Sequence, residues 1–388
     1  MSETPPPPPA VPPALVPVVP RPRRPLESER TTPAPGRPAV RPAPHPGAAP
    51  AVLVTGSGGP AGVAVIRRLV ALGHRVVAGD ADRAAAGGAL ATAAVVLPRA
   101  DHPRFLDAVL GAAAAYGVDA LIGTVAEELP ALTAGADRLA AAGIATWLPD
   151  LAAVDLCCDK AAFAARMHAA GVPHPVTATT PAEAGAVPGP WVVKPREGRG
   201  SRGVQLLDRL GPVVTALGTD PDLVVQTRLA GREFTADALV GRDGDLLTVV
   251  PRWRNETKAG ISVKGTTFDS EVVTDLVRDT LAAVGLTGPA NVQGFVADDG
   301  TATVVEVNPR FSGGLPLTLA AGADVVSAYL DGVREPDREL PRLWFTPGVS
   351  MSRYFAETYT GPDGRPLDDP CTPATAAAPV PAAAAVPA

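Results

Sequence analysis

Apolar and polar positions along the chain divide its middle into two regions with different periodicity. The first begins at Ala51, where the apolar run AVLVT leads into a glycine turn, then the helical spacing of PAGVAVIRRLVALG and a second apolar run, HRVVAGDAD. A strand, a helix and a strand in this order predict a parallel, Rossmann-like sheet. A helical FLDAVLGAAAAYG, a strand DALIGTV and a helical PALTAGADRLAAAG continue the alternation, so we assign residues 50–149 to this domain.

The pattern changes near Pro149. A helical stretch, DLCCDKAAFAARMHAAG, runs to the turn VPHP, and from Trp191 onward short runs are typical of strands. These runs are WVVKP, GVQLL, LVVQTRL, FTADALV, LLTVVPRWR, ANVQGFVA and TATVVEVN, interrupted by one helix, EVVTDLVRDTLAAVG. They predict an antiparallel sheet with supporting helices, so the expected fold class is α/β followed by α+β.

The two ends of the chain lack apolar periodicity. Residues 1–49 and 361–388 are rich in proline and alanine, which predicts disordered tails of polyproline II character that carry no chemistry. The N-terminus has neither the basic segment nor the apolar core of a secretory signal. No apolar run reaches the length of about 18 residues that a membrane helix needs.

Charge and cysteine content narrow the environment. The net charge of −6 argues against nucleic acid and anionic membranes as partners. Cys157, Cys158 and Cys371 form neither an even disulfide framework nor a metal-binding spacing, which fits a reducing compartment. We therefore expect a cytoplasmic protein.

The richest candidate chemistry lies in the run VVEVNPRFSGG, residues 304–314. Glu306, Asn308 and Arg310 occupy alternate positions, so on an extended strand their side chains point to one face. Carboxylate and amide oxygens suit a hard cation such as Mg²⁺, which commonly accompanies nucleotide phosphates. A guanidinium can hold a phosphate oxygen in fork geometry. The alternative is a strand that simply ends in a polar turn.

A second candidate is Lys194, which ends an apolar strand and opens the glycine-rich loop KPREGRGSRGV. Backbone N–H groups around Gly198, Gly200, Ser201 and Gly203 can approach phosphate oxygens without a Cβ clash. The loop is not a Walker A motif, because the lysine precedes the glycines. A flexible surface hairpin is the alternative.

A third candidate is LVVQTRLAGREFTADAL, in which Gln226 leaves one strand and Glu233 begins the next. A carboxylate beside such a crossover can accept both hydroxyls of a ribose, and the crossover backbone can read an adenine edge. Without further context, Glu233 is equally a surface residue, and Lys160, in the preceding helical stretch, is typical of a solvated helix face.

Taken in order, DK…GVPHP, VVKPREGRGSRGV, VVQTRLAGREFTAD, NVQGF and VVEVNPRFSGG resemble the motifs of the ATP-grasp superfamily, over roughly residues 51–360. Within that superfamily the chain is most similar to the carbamoyl-phosphate-synthase-like branch. The resemblance implies that ATP lies between two α+β subdomains, here residues 150–225 and 226–360. It also implies that the reaction joins a carboxylate to an amine and releases ADP.

The resemblance implies a role for each matching position. Lys160 and Lys194 would contact the phosphates, and the lid would be formed by Gly198, Gly200, Ser201 and Gly203. The adenine would be read by Gln226, Thr227 and Arg228, and the ribose would be bound by Glu233. The positions that would bind two Mg²⁺ ions, with Mn²⁺ as the alternative, are Gln293, Glu306 and Asn308. Arg310 would contact the transferred phosphate. Gln293 stands where many relatives have an acid, so one metal site loses a negative charge.

The substrate side of the site is less defined. The segment PRWRNETKAGISVKG lies where relatives place substrate contacts, and its basic candidates are Arg252, Arg254, Lys258 and Lys264. Each of them is equally typical of a solvated surface. We assign Lys258 to the catalytic group together with Arg310 and Lys194. Glu127 and Glu128 either line the cleft or begin a solvated helix.

The resemblance therefore implies an ATP- and Mg²⁺-dependent ligase that converts a small-molecule carboxylate into an acyl phosphate and passes it to an amine or a thiol. One alternative is a non-catalytic ATP-binding module. The other is an NAD(P)-dependent oxidoreductase built on the glycine turn VTGSGGPAG, with Asp80 or Asp82 on the ribose. The GxGxxxG spacing of that turn is wider than a dinucleotide fingerprint. Relatives are often dimers, which leaves a homodimer open.

Overall fold

The computed structural model describes residues 50–198, 202–258, 260–362, 366–368 and 370. The predicted tails, residues 1–49 and most of 361–388, lie outside these ranges. None of the helices within the described ranges combines the length and the hydropathy needed to cross a bilayer.

The N-terminal region is built on a parallel sheet of four strands, which are β1 (Ala51–Thr55), β2 (Arg75–Asp80), β3 (Ala93–Val96) and β4 (Val118–Gly123). Its helices are α1 (Pro60–Ala71), α2 (Gly87–Leu90), α3 (Phe105–Tyr116), α4 (Leu129–Ala134) and α5 (Ala136–Ala141). The strand order is β3-β2-β1-β4, so β2 and β3 are added on one side of β1 and β4 on the other. Val52 and Val54 pack with α1 and Leu53 packs with α3, because successive strand residues face opposite sides.

Two helices, α6 (Leu151–Cys158) and α7 (Lys160–Ala170), lead into a small antiparallel sheet. Its strands are β5 (Thr177–Ala178), β6 (Trp191–Pro195), β7 (Gln205–Leu207) and β8 (Leu223–Thr227), in the order β5-β8-β6-β7. The helix α8 (Leu210–Thr219) packs on this sheet through Val213 and Leu217.

A larger antiparallel sheet follows, in the order β13-β12-β9-β10-β11-β14. Its strands are β9 (Arg232–Val240), β10 (Leu246–Lys258), β11 (Ile261–Thr267), β12 (Gly288–Val296), β13 (Ala302–Asn308) and β14 (Ser350–Ser352). The remaining elements are α9 (Glu271–Val284), α10 (Leu315–Ala320), α11 (Val325–Arg334) and the strand pair β15 (Tyr359–Thr360) and β16 (Pro366–Leu367). The predicted fold class, α/β followed by α+β, is therefore confirmed.

Two stretches predicted as continuous helices are broken. Gly135 separates α4 from α5, at a point where a Cβ atom would lie 2.4 Å from Leu106 Cδ2. Asp159 separates α6 from α7: its backbone is extended, and its carboxylate accepts the N–H groups of Ala161 and Ala162. Gly and Asp have low helix propensity, and each break has a local reason: Gly135 leaves room for Leu106, and Asp159 caps α7. The short strands β3 and β14 have no counterpart among the predicted elements.

One hydrophobic core crosses the predicted domain boundary at residue 149. Trp147 stacks on Tyr329 of α11 with ring centroids 5.2 Å apart, and the Tyr329 hydroxyl donates to the Trp147 carbonyl. Val52 and Ile66 of the parallel sheet region belong to the same cluster, together with Phe311. This shared core joins the carboxyl-terminal elements to the first domain.

Candidate functional site

A cleft of about 410 Å³ lies between the small and the large antiparallel sheets. It is lined by nine of the residues proposed as nucleotide or metal contacts, namely Lys160, Lys194, Gly198, Gln226, Thr227, Arg228, Glu233, Gln293 and Glu306. Asn308 and Arg310 continue the chain from Glu306 at the end of β13. Gly203 packs beside Pro195, which also lines the cleft. Gly200 and Ser201 lie outside the described residues.

Lys194, at the end of β6, is the most buried charged group of the cleft, with 8% of its surface exposed. Burial lowers the pKa of its ammonium to about 8; Glu306 opposes this shift and Lys160 adds to it. Among the described residues no side chain or carbonyl bonds to Lys194 Nζ. A buried ammonium without an acceptor fits an anionic ligand, because burial of an unpaired charge is costly.

Lys160 is held against the strand that precedes the glycine-rich loop. Its Nζ donates to the Gly198 carbonyl at 3.1 Å and lies 3.4 Å from the Arg196 carbonyl. The neighbouring Asp159 caps α7 and pairs with Arg196 through two contacts, which lowers the pKa of its carboxyl. The cap of a helix and the start of the loop are therefore one connected unit.

The opposite end of the cleft is formed by the crossover from β8 to β9. Gln226 is buried and donates its side-chain amide to Thr177 Oγ1 at 2.9 Å, which ties β8 to β5. Arg228 turns its guanidinium to Asp208, 2.8 Å away. The buried Thr227 hydroxyl has no hydrogen-bond partner within the described part of the chain. Most buried polar groups have such a partner.

Glu233 begins β9 at the wall of the cleft. Burial raises the pKa of its carboxyl, while Arg254 and a hydrogen bond from Gln293 favour the charged form. Arg254 Nη1 lies 3.3 Å from Glu233 Oε1, and its Nη2 donates to the Gly260 carbonyl at 3.1 Å. Arg254 thus joins the tip of the β10–β11 hairpin to the cleft.

The predicted metal ligands are adjacent in space. Gln293 of β12 is the register partner of Glu306 of β13. Asn308 Nδ2 lies 3.2 Å from Glu306 Oε1, and Asn308 Oδ1 accepts from Arg310 Nη2 at 3.2 Å. Since Gln293 donates its amide nitrogen to Glu233, its carbonyl oxygen is left for a ligand. One carboxylate and two amide oxygens fit Mg²⁺, which usually keeps water and phosphate ligands as well.

The four basic residues of the 251–265 segment have different environments. Only Arg254 lines the cleft. Arg252 is buried beside Asp237, 2.9 Å away, and Lys264 forms an exposed pair with Glu256 at 2.7 Å. Lys258 is exposed at the end of β10 and does not line the cleft, so the structure does not bring it to the other proposed catalytic residues.

The glycine turn after β1, which binds the cofactor in dinucleotide-binding domains, is here occupied by contacts from within the chain. The Gly58 amide donates to Asp80 Oδ2 at 2.7 Å, so the acidic residue at the end of β2 binds the turn itself. A Cβ atom on Gly87 would lie 2.4 Å from the Ser57 carbonyl, because α2 packs directly on the turn. Glu128, one of the two acids after β4, accepts the Thr55 hydroxyl at the same edge. This geometry disfavours the oxidoreductase hypothesis.

Two residues that the sequence did not indicate also support this region: Thr177 contacts Gln226, and Asp237 pairs with Arg252. Asp237 lies in the apolar run FTADALV, and a lone acid in such a run is a signal of a buried partner. Nothing in the sequence identified that partner, because β9 and β10 pair through their backbones and the contact depends on register.

Comparison with known proteins gives one family and several structures. Residues 219–347 match the family model described as ATP-grasp in the biosynthetic pathway with Ter operon. The chain is also similar to the uncharacterized protein y4rH of Sinorhizobium fredii, with 31% identity over 189 residues. That match covers 42% of this chain and 38% of y4rH, so it spans well under half of the relative's length.

Two solved structures have the same fold at low sequence identity. The L-amino acid ligase from Bacillus licheniformis has a TM-score of 0.58 at 18% identity, over 74% of each chain. The biotin carboxylase from Campylobacter jejuni, in its beta-gamma-ATP complex, has a TM-score of 0.61 at 17% identity, over 76% of this chain and 73% of that one. Over residues 219–347 the chain is therefore similar to an ATP-grasp family, and as a whole it shares the fold of these two structures.

Proposed function

We propose that this protein is a cytoplasmic, ATP- and Mg²⁺-dependent ligase that activates a small-molecule carboxylate as an acyl phosphate and joins it to an amine, releasing ADP and phosphate. The observation that carries the proposal is the position of Lys194. Its ammonium is buried without an acceptor in the described residues, in the same cleft as Glu306 and Lys160. A triphosphate with its metal ions satisfies both the cation and the carboxylate.

In this proposal the nucleotide lies along the cleft. The β8–β9 crossover, with Gln226, Thr227 and Arg228, reads the adenine through its backbone, and Glu233 accepts the ribose hydroxyls. Lys160 and Lys194 hold the phosphates. Because Lys160 now contacts the Gly198 carbonyl, phosphate binding exchanges one acceptor for another at the base of the loop from Gly198 to Gly203.

Gln293, Glu306 and Asn308 would hold the metal ions, two Mg²⁺ or Mn²⁺, with Glu306 supplying the only negative charge of this set. Bound there, the ions neutralise charge on the β- and γ-phosphates. Arg310, bonded to Asn308 Oδ1 and to the Phe311 carbonyl at 2.9 Å, presents its guanidinium to the transferred group. The subdomains 150–225 and 226–360 supply the two walls of the cleft.

The chemical step places little covalent work on the protein. A substrate carboxylate oxygen attacks the γ-phosphorus, and the bond from that phosphorus to the β–γ bridging oxygen breaks, leaving ADP. The amine nitrogen then attacks the acyl carbon, the bond to the phosphate oxygen breaks, and the amine proton is lost to solvent. Lys194 and Arg310 stabilise the charge that develops on the transferred group, in a cleft that limits water.

The test is ADP release with Mg·ATP across a panel of carboxylates, each with and without a panel of amines or a panel of thiols. The control is the double variant Glu306→Ala, Asn308→Ala. Release that requires both a carboxylate and an amine, and is lost in the control, supports the ligase. Release that requires a thiol instead of an amine changes the second substrate. Mg·ATP binding without release under any condition favours a non-catalytic ATP-binding module, and absence of binding overturns the proposal.

A further inference from the structure

A buried polar cluster centred on Asp237 lies behind the cleft and is not part of the nucleotide site described above. Asp237, on β9, is 4% exposed. Its carboxylate accepts three hydrogen bonds, from Asn291 Nδ2 at 3.0 Å, Ser312 Oγ at 2.9 Å and Thr318 Oγ1 at 2.6 Å, and forms an ion pair with Arg252 Nη1 at 2.9 Å. A buried ion pair surrounded by further hydrogen bonds costs least when every oxygen is occupied, so this carboxylate is fixed in one orientation.

Arg252 extends the cluster to the turn formed by residues 312–314. Its guanidinium is 2% exposed, and its Nη2 donates to Ser312 Oγ at 2.9 Å. A Cβ atom on Gly314 would lie 2.3 Å from Arg252 Nε, so the guanidinium occupies the space that a side chain would need. Ser312 Oγ also accepts the Gly314 amide at 3.0 Å. These contacts hold the turn against the ion pair.

The turn is directly connected to the proposed phosphate and metal ligands. Arg310 Nη1 donates to the carbonyl of Phe311, the residue next to Ser312, and its Nη2 donates to Asn308 Oδ1. From the other side, Asn291 is the register partner of Asn308 across β12 and β13. Asp237 thus contacts Ser312, two residues beyond Arg310, and Asn291, the cross-strand neighbour of Asn308.

We propose that the Asp237–Arg252 ion pair is a positioning device that orients Arg310 and Asn308 toward the transferred phosphate and its metal ion, an inference that rests on the proposed function. Arg252 does not touch the substrate: it acts through Ser312 and the Phe311 carbonyl. Arg353 reinforces the arrangement from the end of β14, where it donates to the Gly313 carbonyl. Loss of the pair leaves the adenine and ribose end unchanged and weakens only the metal-dependent end of the cleft.

The matched variants are Ser312→Ala and Thr318→Val. Both hydroxyls donate to the same atom, Asp237 Oδ2, so each variant removes one bond to the same carboxylate. Only Ser312 also contacts Arg252 and the turn, whereas Thr318 lies on α10. These variants are milder than removal of either charge, which would leave a buried unpaired ion and endanger folding.

The experiment measures ADP affinity by calorimetry with Mg²⁺ and with EDTA. The dissociation constant in EDTA divided by that in Mg²⁺ reports the metal-dependent part of binding. Ser312→Ala is expected to reduce that ratio by roughly tenfold, because loss of a contact that supports a metal ligand commonly weakens metal binding to this extent. The dissociation constant in EDTA is expected to change little. Thr318→Val is expected to leave both dissociation constants within about twofold of the wild-type values. Its melting temperature is expected to fall about as much as that of Ser312→Ala.

Two results would overturn the inference, and they are distinguishable. Equal effects of the two variants on the ratio would show that the cluster is merely structural, with the proposed function intact. A wild-type protein whose ADP affinity does not respond to Mg²⁺ would remove the proposed function, and the positioning role with it.

Discussion

At the scale of single residues, the ammonium of Lys194 is poised between two protonation states near physiological pH. Its pKa is about 8 in the nucleotide-free protein because the group is buried and Lys160 is close. Phosphate groups would restore the charged form. Nucleotide binding should therefore take up a proton at any pH above this value.

We predict that the affinity for Mg·ATP is level below pH 8 and falls above it, by up to about tenfold per pH unit. Calorimetry in two buffers of different ionisation enthalpy would measure the proton uptake. In Lys194→Met the affinity should be lower at pH 7 and should lose this pH dependence. The stability of the free protein should move in the opposite direction: the unfolded lysine binds more protons between pH 8 and 10.5, so unfolding free energy rises with pH there. A level affinity from pH 7 to 10 would refute the assignment.

Glu233 allows a second test at this scale, because its carboxylate is proposed to accept the ribose hydroxyls. Wild-type protein should bind 2′,3′-dideoxy-ATP roughly 10- to 100-fold more weakly than ATP, the range for hydrogen bonds to a charged acceptor. In Glu233→Ala the two nucleotides should bind equally. If the variant still distinguishes them, the ribose is recognised elsewhere.

At the scale of elements, two neighbouring helices have the same kind of cap with different connections. Asp150 caps α6 through the Ala152 amide, and Asp159 caps α7 through two amides. Asp159 alone also pairs with Arg196, whose carbonyl accepts the Lys160 amide. The second cap therefore connects a helix start to the proposed phosphate site.

We expect Asp150→Ala and Asp159→Ala each to lower the free energy of unfolding by about 1 kcal/mol, the usual contribution of an N-cap. Only Asp159→Ala should also weaken Mg·ATP binding, by roughly fivefold, about 1 kcal/mol. Chemical denaturation and calorimetry on both variants would separate the two effects. Equal nucleotide affinities would mean that the Asp159–Arg196 pair serves the fold alone.

At the scale of the whole molecule, the first domain and the carboxyl-terminal helices are joined through Trp147. Its ring is buried between Tyr329 and Arg242, whose guanidinium lies 4.8 Å from the ring centroid, and its Nε1 donates to Thr287 Oγ1. The core that contains it includes residues from both sides of the predicted boundary. The two regions should therefore unfold together.

We predict that Trp147→Ala lowers the free energy of unfolding by about 3–5 kcal/mol. Trp344→Ala is the control, since that ring is 81% exposed and its loss should change stability little. Calorimetric unfolding should show one transition for the wild type. Two resolved transitions in the wild type would contradict the shared core.

The sequence predicted much of the fold wherever the signal was local. Apolar spacing identified α1 and the strands β1 and β2, and alternation identified β9, β12 and β13. Short elements such as β3 and β14 were missed, because three or four residues carry too little periodicity. The helix break at Asp159 was also missed, since a residue that caps one helix was read as the interior of a longer one.

By itself, the sequence determined the residue types of the candidate site and their order along the chain. Glu306 and Asn308 alternate on β13, so a strand alone places them on one face, whereas Arg310 lies just beyond the end of that strand. Tertiary structure alone decided which basic residues of β10 meet the cleft. Arg252 and Arg254 share one face of the same strand, yet the first is covered by Asp237 and the turn at Gly314, whereas the second reaches Glu233. Local spacing sets the direction of a side chain, and strand pairing across distant segments sets what that side chain contacts.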